Sequence, residues 1–210
     1  MSRLHVESQS PNQAARLNWL RAGVLGANDG IVSISGLVIG VAGATNSTAL
    51  ILTAGIAGIV AGGISMAAGE YVSVSSQRDS EHALLEKEKL ELKNMPLKEL
   101  KELASLYEKK GLSKKTALVV AKELTKKDAY AAHVDIELGI DPKNLTNAWQ
   151  AAIASATSFL VGAIIPLIAI ITPPAQIRIP VAFSSVVIAL AITGIVSGKI
   201  GKANIAKAVA

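Results

Sequence analysis

Four long apolar stretches dominate the pattern of the chain, separated by a short polar hairpin, a charged middle and a proline-containing turn. They run from Ala22 to Ala44, Ala49 to Gly69, Ala148 to Thr172 and Ile179 to Gly198. The first is broken by Asn28 and Asp29, and the second carries no charge. A helix needs about 20 residues to cross roughly 30 Å of hydrocarbon, and each stretch reaches that length. Four of them in 210 residues predict four transmembrane helices rather than core helices of a water-soluble fold. Glycines at GxxxG spacing, Gly26/Gly30, Gly36/Gly40, Gly58/Gly62 and Gly194/Gly198, predict close helix packing and offer a candidate dimer face.

The charged middle follows a different pattern, with short amphipathic runs punctuated by helix signals. A first charged helix continues from the second span and ends near Asn94 and Pro96. Pro96 then opens a second helix through Lys109, stopped by Gly111. Ser113 caps a third, from Lys114 to about Leu124, and Thr125 with Asp128 three residues on forms a capping-box pattern for a fourth ending at Gly139. The organisation is therefore an N-terminal arm with spans one and two (1–69), a helical block (70–146), and spans three and four with a C-terminal link (147–210).

Composition agrees with this division. Half of the residues are hydrophobic, only 18% are charged, and mean hydropathy is +0.43. Such values exclude a disordered chain, and the lack of cysteine excludes disulfides, thiol nucleophiles and thiolate metal ligands. The net charge of +5 would suggest a nucleic-acid partner if it were spread evenly. It is not: residues 70–143 hold 14 acidic and 14 basic residues, so the whole excess lies in the flanks. It reads as a topology signal, with no nucleic acid implied. Arg16 and Arg21 before the first span, Lys199, Lys202 and Lys207 after the last, and the lysine-rich middle place both termini and the block in the cytoplasm. The first apolar stretch starts too late and runs too long for a cleaved leader. With no targeting segment and a small size, the expected location is the plasma membrane of a prokaryote.

Candidate chemistry lies in a few ionisable residues. Asp29 within a span is either a hydrated residue near the membrane surface or a cation or proton site, since a charge at bilayer depth is costly. Met66 and Glu70, four residues apart, offer a thioether and a carboxylate on one helix face. Glu88/Glu91 and Glu99/Glu102 are i,i+3 pairs on consecutive helices, and His133/Glu137 is an i,i+4 pair on a later one. By spacing alone they describe either a divalent-metal site or a solvated face interleaved with Lys87, Lys89, Lys98 and Lys101.

A resemblance adds to that reading. Asn28-Asp29-Gly30-Ile31-Val32-Ser33, Met66-Ala67-Ala68-Gly69-Glu70-Tyr71-Val72-Ser73-Val74 with Ser76-Gln77-Arg78-Asp79, and His133 to Gly139 resemble the vacuolar iron transporter family in order along nearly the whole chain. The resemblance implies an all-α integral membrane protein with a cytoplasmic metal-binding subdomain between spans two and three. It also implies a homodimer in the lipid bilayer that exports Fe²⁺ or Mn²⁺ from the cytoplasm in exchange for protons, with no enzymatic activity and no resident cofactor. Asp29, Met66 and Glu70 match the family's pathway residues, and Glu88, Glu91, Glu99, Glu102 and Glu137 its metal-domain glutamates. His133 stands where the plant-type pattern has methionine, and neutral imidazole also binds transition metals. The family pattern has five spans; this chain shows four, and Lys199 to Ala210 resembles the link to a fifth. The rival functions are a membrane-embedded metal sensor, and a metal store or ferroxidase. The latter usually wants Glu-x-x-His pairs, which the block lacks.

Overall fold

The structure, a computed structural model, describes the backbone of residues 11–142 and 144–200 and the side chains of residues 21–142 and 144–199. The N-terminal arm before Pro11 and the expected C-terminal link from residue 201 onward lie outside the described residues. Among the described residues all regular structure is helical: α1 (Pro11–Ala44), α2 (Thr48–Asn94), α3 (Pro96–Lys109), α4 (Lys114–His133), a π-helical turn (Val134–Leu138), α5 (Ala148–Ile171) and α6 (Arg178–Ile200). The four expected spans fall in α1, α2, α5 and α6, each long and apolar enough to cross a membrane. The chain divides into two compact units, Met1–Val74 with Asn147–Ala210, and Ser75–Thr146.

In the first unit α1 and α5 run side by side in the same direction, because the glycines of one meet the backbone of the other. A Cβ at Gly26 would stand 2.8 Å from the Ser155 carbonyl oxygen. One at Gly30 would collide with the Phe159 carbonyl, and one at Gly162 with the Ala27 carbonyl. The Gly26/Gly30 pair is therefore used inside the chain. Gly58 and Gly62 are covered too, by Leu37 and Ile34 and by the Phe159 ring, whereas Gly36 and Gly40 face nothing within 4 Å. Ile34, Val38 and Ala42 of α1, Ile51 of α2, Phe159, Ala163 and Ile170 of α5, and Ala182 of α6 form the core, with Met66 packed at its margin. Leu25, Val60, Ile64, Ile153 and Phe183 remain exposed. An apolar exterior suits lipid as solvent, because helices satisfy their own backbone polar groups there.

The second unit takes its form from its helix ends. Pro96 sits in the first turn of α3, Gly111 supplies a φ of 100° beyond its end, and Ser113 Oγ accepts from Thr116 N at 3.3 Å to cap α4. The break expected at Thr125 lies three residues later. Asp128 has non-helical backbone angles (φ −165°, ψ 96°), and its Oδ1 accepts from Ala131 N at 2.9 Å. Asp128 thus caps the last turns of α4, while Thr125 Oγ1 is buried without a hydrogen-bond partner. The helix then widens into the π turn, closed by Gly139 in the left-handed region (φ 61°) with its N–H on Val134 O. Leu103, Ala104 and Ala121 form the core of this unit, with Leu100, Tyr107, Ala132 and Ile136 around them.

Candidate metal centre

The tight connection at Asn94–Pro96 turns α3 back beside the end of α2, with Met95 N on Glu91 O at 2.7 Å and Glu99 N on Met95 O at 3.1 Å. Glu88, near the end of α2, and Glu99, in the first turn of α3, are each only 2% exposed. The Asp128 kink and the cap that follows it bring the end of α4 to the same place, where His133 is fully buried. One ligand atom from each of Glu88, Glu99 and His133 lies within 4.8 Å of the others. His133 Nδ1 is 3.0 Å from Glu88 Oε1 and 3.5 Å from Glu137 Oε2, carried by the π turn.

Close as they are, these groups form no hydrogen bonds with one another. Glu88 Oε1, Glu99 Oε1 and both ring nitrogens of His133 are buried without a hydrogen-bond partner. An isolated buried carboxylate is so unfavourable that proteins seldom keep one without a cation or hydrogen-bond donors. The protonation equilibria register the same conflict. Burial first, then the charge of Glu137, pushes the Glu88 carboxyl above the usual carboxylate range, against the opposing pull of His133. Burial and then Glu102 do so for Glu99, with Lys98 opposing. A divalent cation would relieve both, and a set of carboxylate oxygens with one imidazole suits first-row transition metals.

The remaining predicted acids stand outside this trio. Glu91 is partly buried and paired with Lys87 at 3.3 Å. Glu102 is exposed and lines an open cavity with Lys98, Lys101 and Lys109. In the membrane unit Asp29 is exposed and accepts from Ser33 Oγ at 2.7 Å, while Met66 and Glu70 are partly buried. Among the described residues no hydrogen bond or ion pair joins Asp29, Met66 and Glu70 to one another.

The VIT family model matches residues 20–210. A vacuolar iron transporter of Acanthamoeba castellanii is 44% identical over 187 residues, covering 89% of this chain and 69% of that protein. Vacuolar iron transporter homolog 5 of Oryza sativa is 35% identical, covering 98% and 81%, and homolog 2.1 of Arabidopsis thaliana is 32% identical, covering 98% and 78%. The chain belongs to the VIT family.

Within this VIT-family chain three polar features escaped the sequence reading. Thr193 Oγ1 of α6 donates to Asn28 Oδ1 of α1 at 2.6 Å, beside Asp29. Only the polar character of both positions within spans hinted at it. The π turn that presents Glu137 has no marker in sequence beyond the Gly139 stop. Arg178, at the edge of the fourth span, is buried.

Proposed function

We propose that this chain carries Fe²⁺, and with it Mn²⁺, out of the cytoplasm across the membrane as a proton-coupled homodimer. The observation that carries this reading is the buried trio of Glu88, Glu99 and His133, whose ligand atoms converge without hydrogen-bond partners. The relatives named vacuolar iron transporters supply the cargo class.

The trio, with Glu137 at its edge, replaces part of the hydration shell of an arriving ion and holds it by charge and by imidazole. Asp29, Met66 and Glu70 line the route through the spans, with the carboxylates for charge and the thioether for softer divalent ions. A carboxylate that binds metal when ionised gives it up when protonated, so protons moving the other way drive release. Asp29, Ser33, Gly36 and Gly40 share one face of α1 at i, i+4, i+7 and i+11 and are exposed in the single chain. Polar and small residues on a lipid-facing helix suit contact with a second copy, which puts Asp29 at the dimer axis. The positive-inside rule sets the N-terminus and the second unit on the cytoplasmic side, and in a prokaryotic cell the membrane is the plasma membrane.

The test is metal flux in proteoliposomes with an imposed pH gradient. Fe²⁺ or Mn²⁺ should cross in wild type, coupled to proton flow, and Asp29→Ala should abolish flux while leaving ion binding to the second unit intact. Binding without flux in wild type would establish a sensor instead, and undiminished flux in Asp29→Ala would remove Asp29 from the route.

A further inference from the structure

The end of the membrane unit remote from Asp29 holds a charge that the proposed route does not include. Arg178 opens α6 and is only 6% exposed. Its Nη1 donates to the Asn46 carbonyl oxygen and its Nη2 to Thr48 Oγ1, both at 3.4 Å. Nε is buried with no hydrogen-bond partner. A guanidinium has five N–H donors and stays charged at every physiological pH. Two long bonds to neutral oxygens leave that charge uncompensated, a condition proteins avoid in buried places.

The surroundings sharpen the mismatch. Arg178 is the first residue of α6, and its bond to Thr48 reaches the first residue of α2. It therefore lies where two helix N-termini meet, each equivalent to about half a positive charge. No carboxylate answers it: residues 147–210 contain no acid, and no described residue forms an ion pair with Arg178. At 1.5 Å per helical residue, Asp29 stands about 22 Å from the end of α1 and Glu70 about 33 Å from the start of α2.

We propose that Arg178 and the N-termini of α2 and α6 form an anion site for a phosphate-type group, supplied by a phospholipid headgroup or by free phosphate. The planar fork of guanidinium donors matches two phosphate oxygens, and the first amides of the two helices, Thr48 and Ala49 of α2 and Arg178 and Ile179 of α6, add backbone N–H groups, whereas Leu50 N is held by Ser47 Oγ and Pro180 has none. The site sits where the apolar stretches of α1, α2, α5 and α6 end, the depth of lipid headgroups. A bound anion there ties the α1–α2 hairpin to α6 through the Arg178 bridge. The inference is independent of the transport reading.

The test uses the full chain in a phosphate-free maltoside detergent. Its unfolding midpoint is followed against inorganic phosphate, phosphatidylglycerol, and chloride at matched ionic strength, in wild type, Arg178→Gln and Arg178→Lys. At a hundredfold excess over the dissociation constant, wild type should gain roughly 5 to 10 °C over the chloride control. A gain with phosphatidylglycerol alone identifies a lipid headgroup, and a gain with inorganic phosphate identifies the free anion. The gain should vanish in Arg178→Gln and fall by at least half in Arg178→Lys, which keeps the charge but loses the fork. No gain in wild type from either source overturns the site whatever the variants do, and so does an equal gain in a folded variant.

Discussion

Replacing Glu99 with glutamine should make the metal-free protein more stable and make it deaf to metal. Glu99 is 2% exposed, its Oε1 has no hydrogen-bond partner, and burial is the main reason its carboxyl resists ionisation. The nearest cation, Lys98 Nζ, is 3.9 Å away on a side chain 63% exposed, so that pair contributes at most about 1 kcal/mol. Leaving a buried polar group unsatisfied costs about 1–3 kcal/mol, more when it is charged. Glutamine keeps the volume and removes the charge. The metal-free second unit should therefore gain about 1–2 kcal/mol at pH 7, raising its midpoint by roughly 5 to 10 °C for a unit of this size. Wild type at a hundredfold excess of Mn²⁺ over its dissociation constant gains about 2.7 kcal/mol, and Glu99→Gln should lose most of that gain. Calorimetry of the full chain, in chelator and in Mn²⁺, reads both effects. A lower midpoint in chelator, or an undiminished shift with Mn²⁺, would refute the reading of Glu99 as a buried ligand.

Three further outcomes follow from the same structure. Because Glu88 and Glu99 both titrate above the usual carboxylate range, their contribution to metal-free stability is complete below the unfolded-state value and is lost as pH rises through the raised values. The midpoint in chelator should fall across that window while Mn²⁺ affinity rises, and a midpoint that climbs there contradicts the assignment. His133→Leu should weaken binding by at least about 10- to 100-fold, with a larger loss for Co²⁺ than for Mn²⁺ in titration calorimetry, since imidazole favours the later metals; equal losses would mean the ring is not a ligand. Gly162→Ala drives a Cβ into the Ala27 carbonyl and should cost about 1–3 kcal/mol by overpacking. Gly69→Ala, with nothing within 4 Å, should leave the thermal midpoint unchanged or higher, and similar losses in both would show that α1 and α5 are not in close contact.

The parts of this fold that are readable in sequence are those set by one-dimensional signals. The spans follow from long apolar stretches, and α3 and the start of α4 follow from Pro96, Gly111 and Ser113, whose effects act within a turn. The kink shows the limit. Thr125 and Asp128 both have an oxygen able to cap a helix, and Asp128 takes the role because its own backbone leaves the helix and its carboxylate reaches the Ala131 amide. The same limit separates the glutamates. Spacing i,i+3 puts Glu88 with Glu91 and Glu99 with Glu102 on shared faces, yet Glu88 and Glu99 are buried while Glu91 stays partly open and Glu102 exposed. The difference depends on where α2, α3 and the end of α4 meet, which no local pattern encodes. Gly26/Gly30 and Gly36/Gly40 carry the same motif, but only the first meets α5.

The central claim is that Glu88, Glu99 and His133 hold a divalent transition metal. Anomalous scattering from crystals of the full chain soaked in Mn²⁺ or Fe²⁺ tests it most directly. The account predicts a peak at about 2.0–2.2 Å from a carboxylate oxygen of Glu88, one of Glu99 and a ring nitrogen of His133, the range of first-row metal bonds to such ligands. Ordered side chains with no peak among these three residues would contradict it.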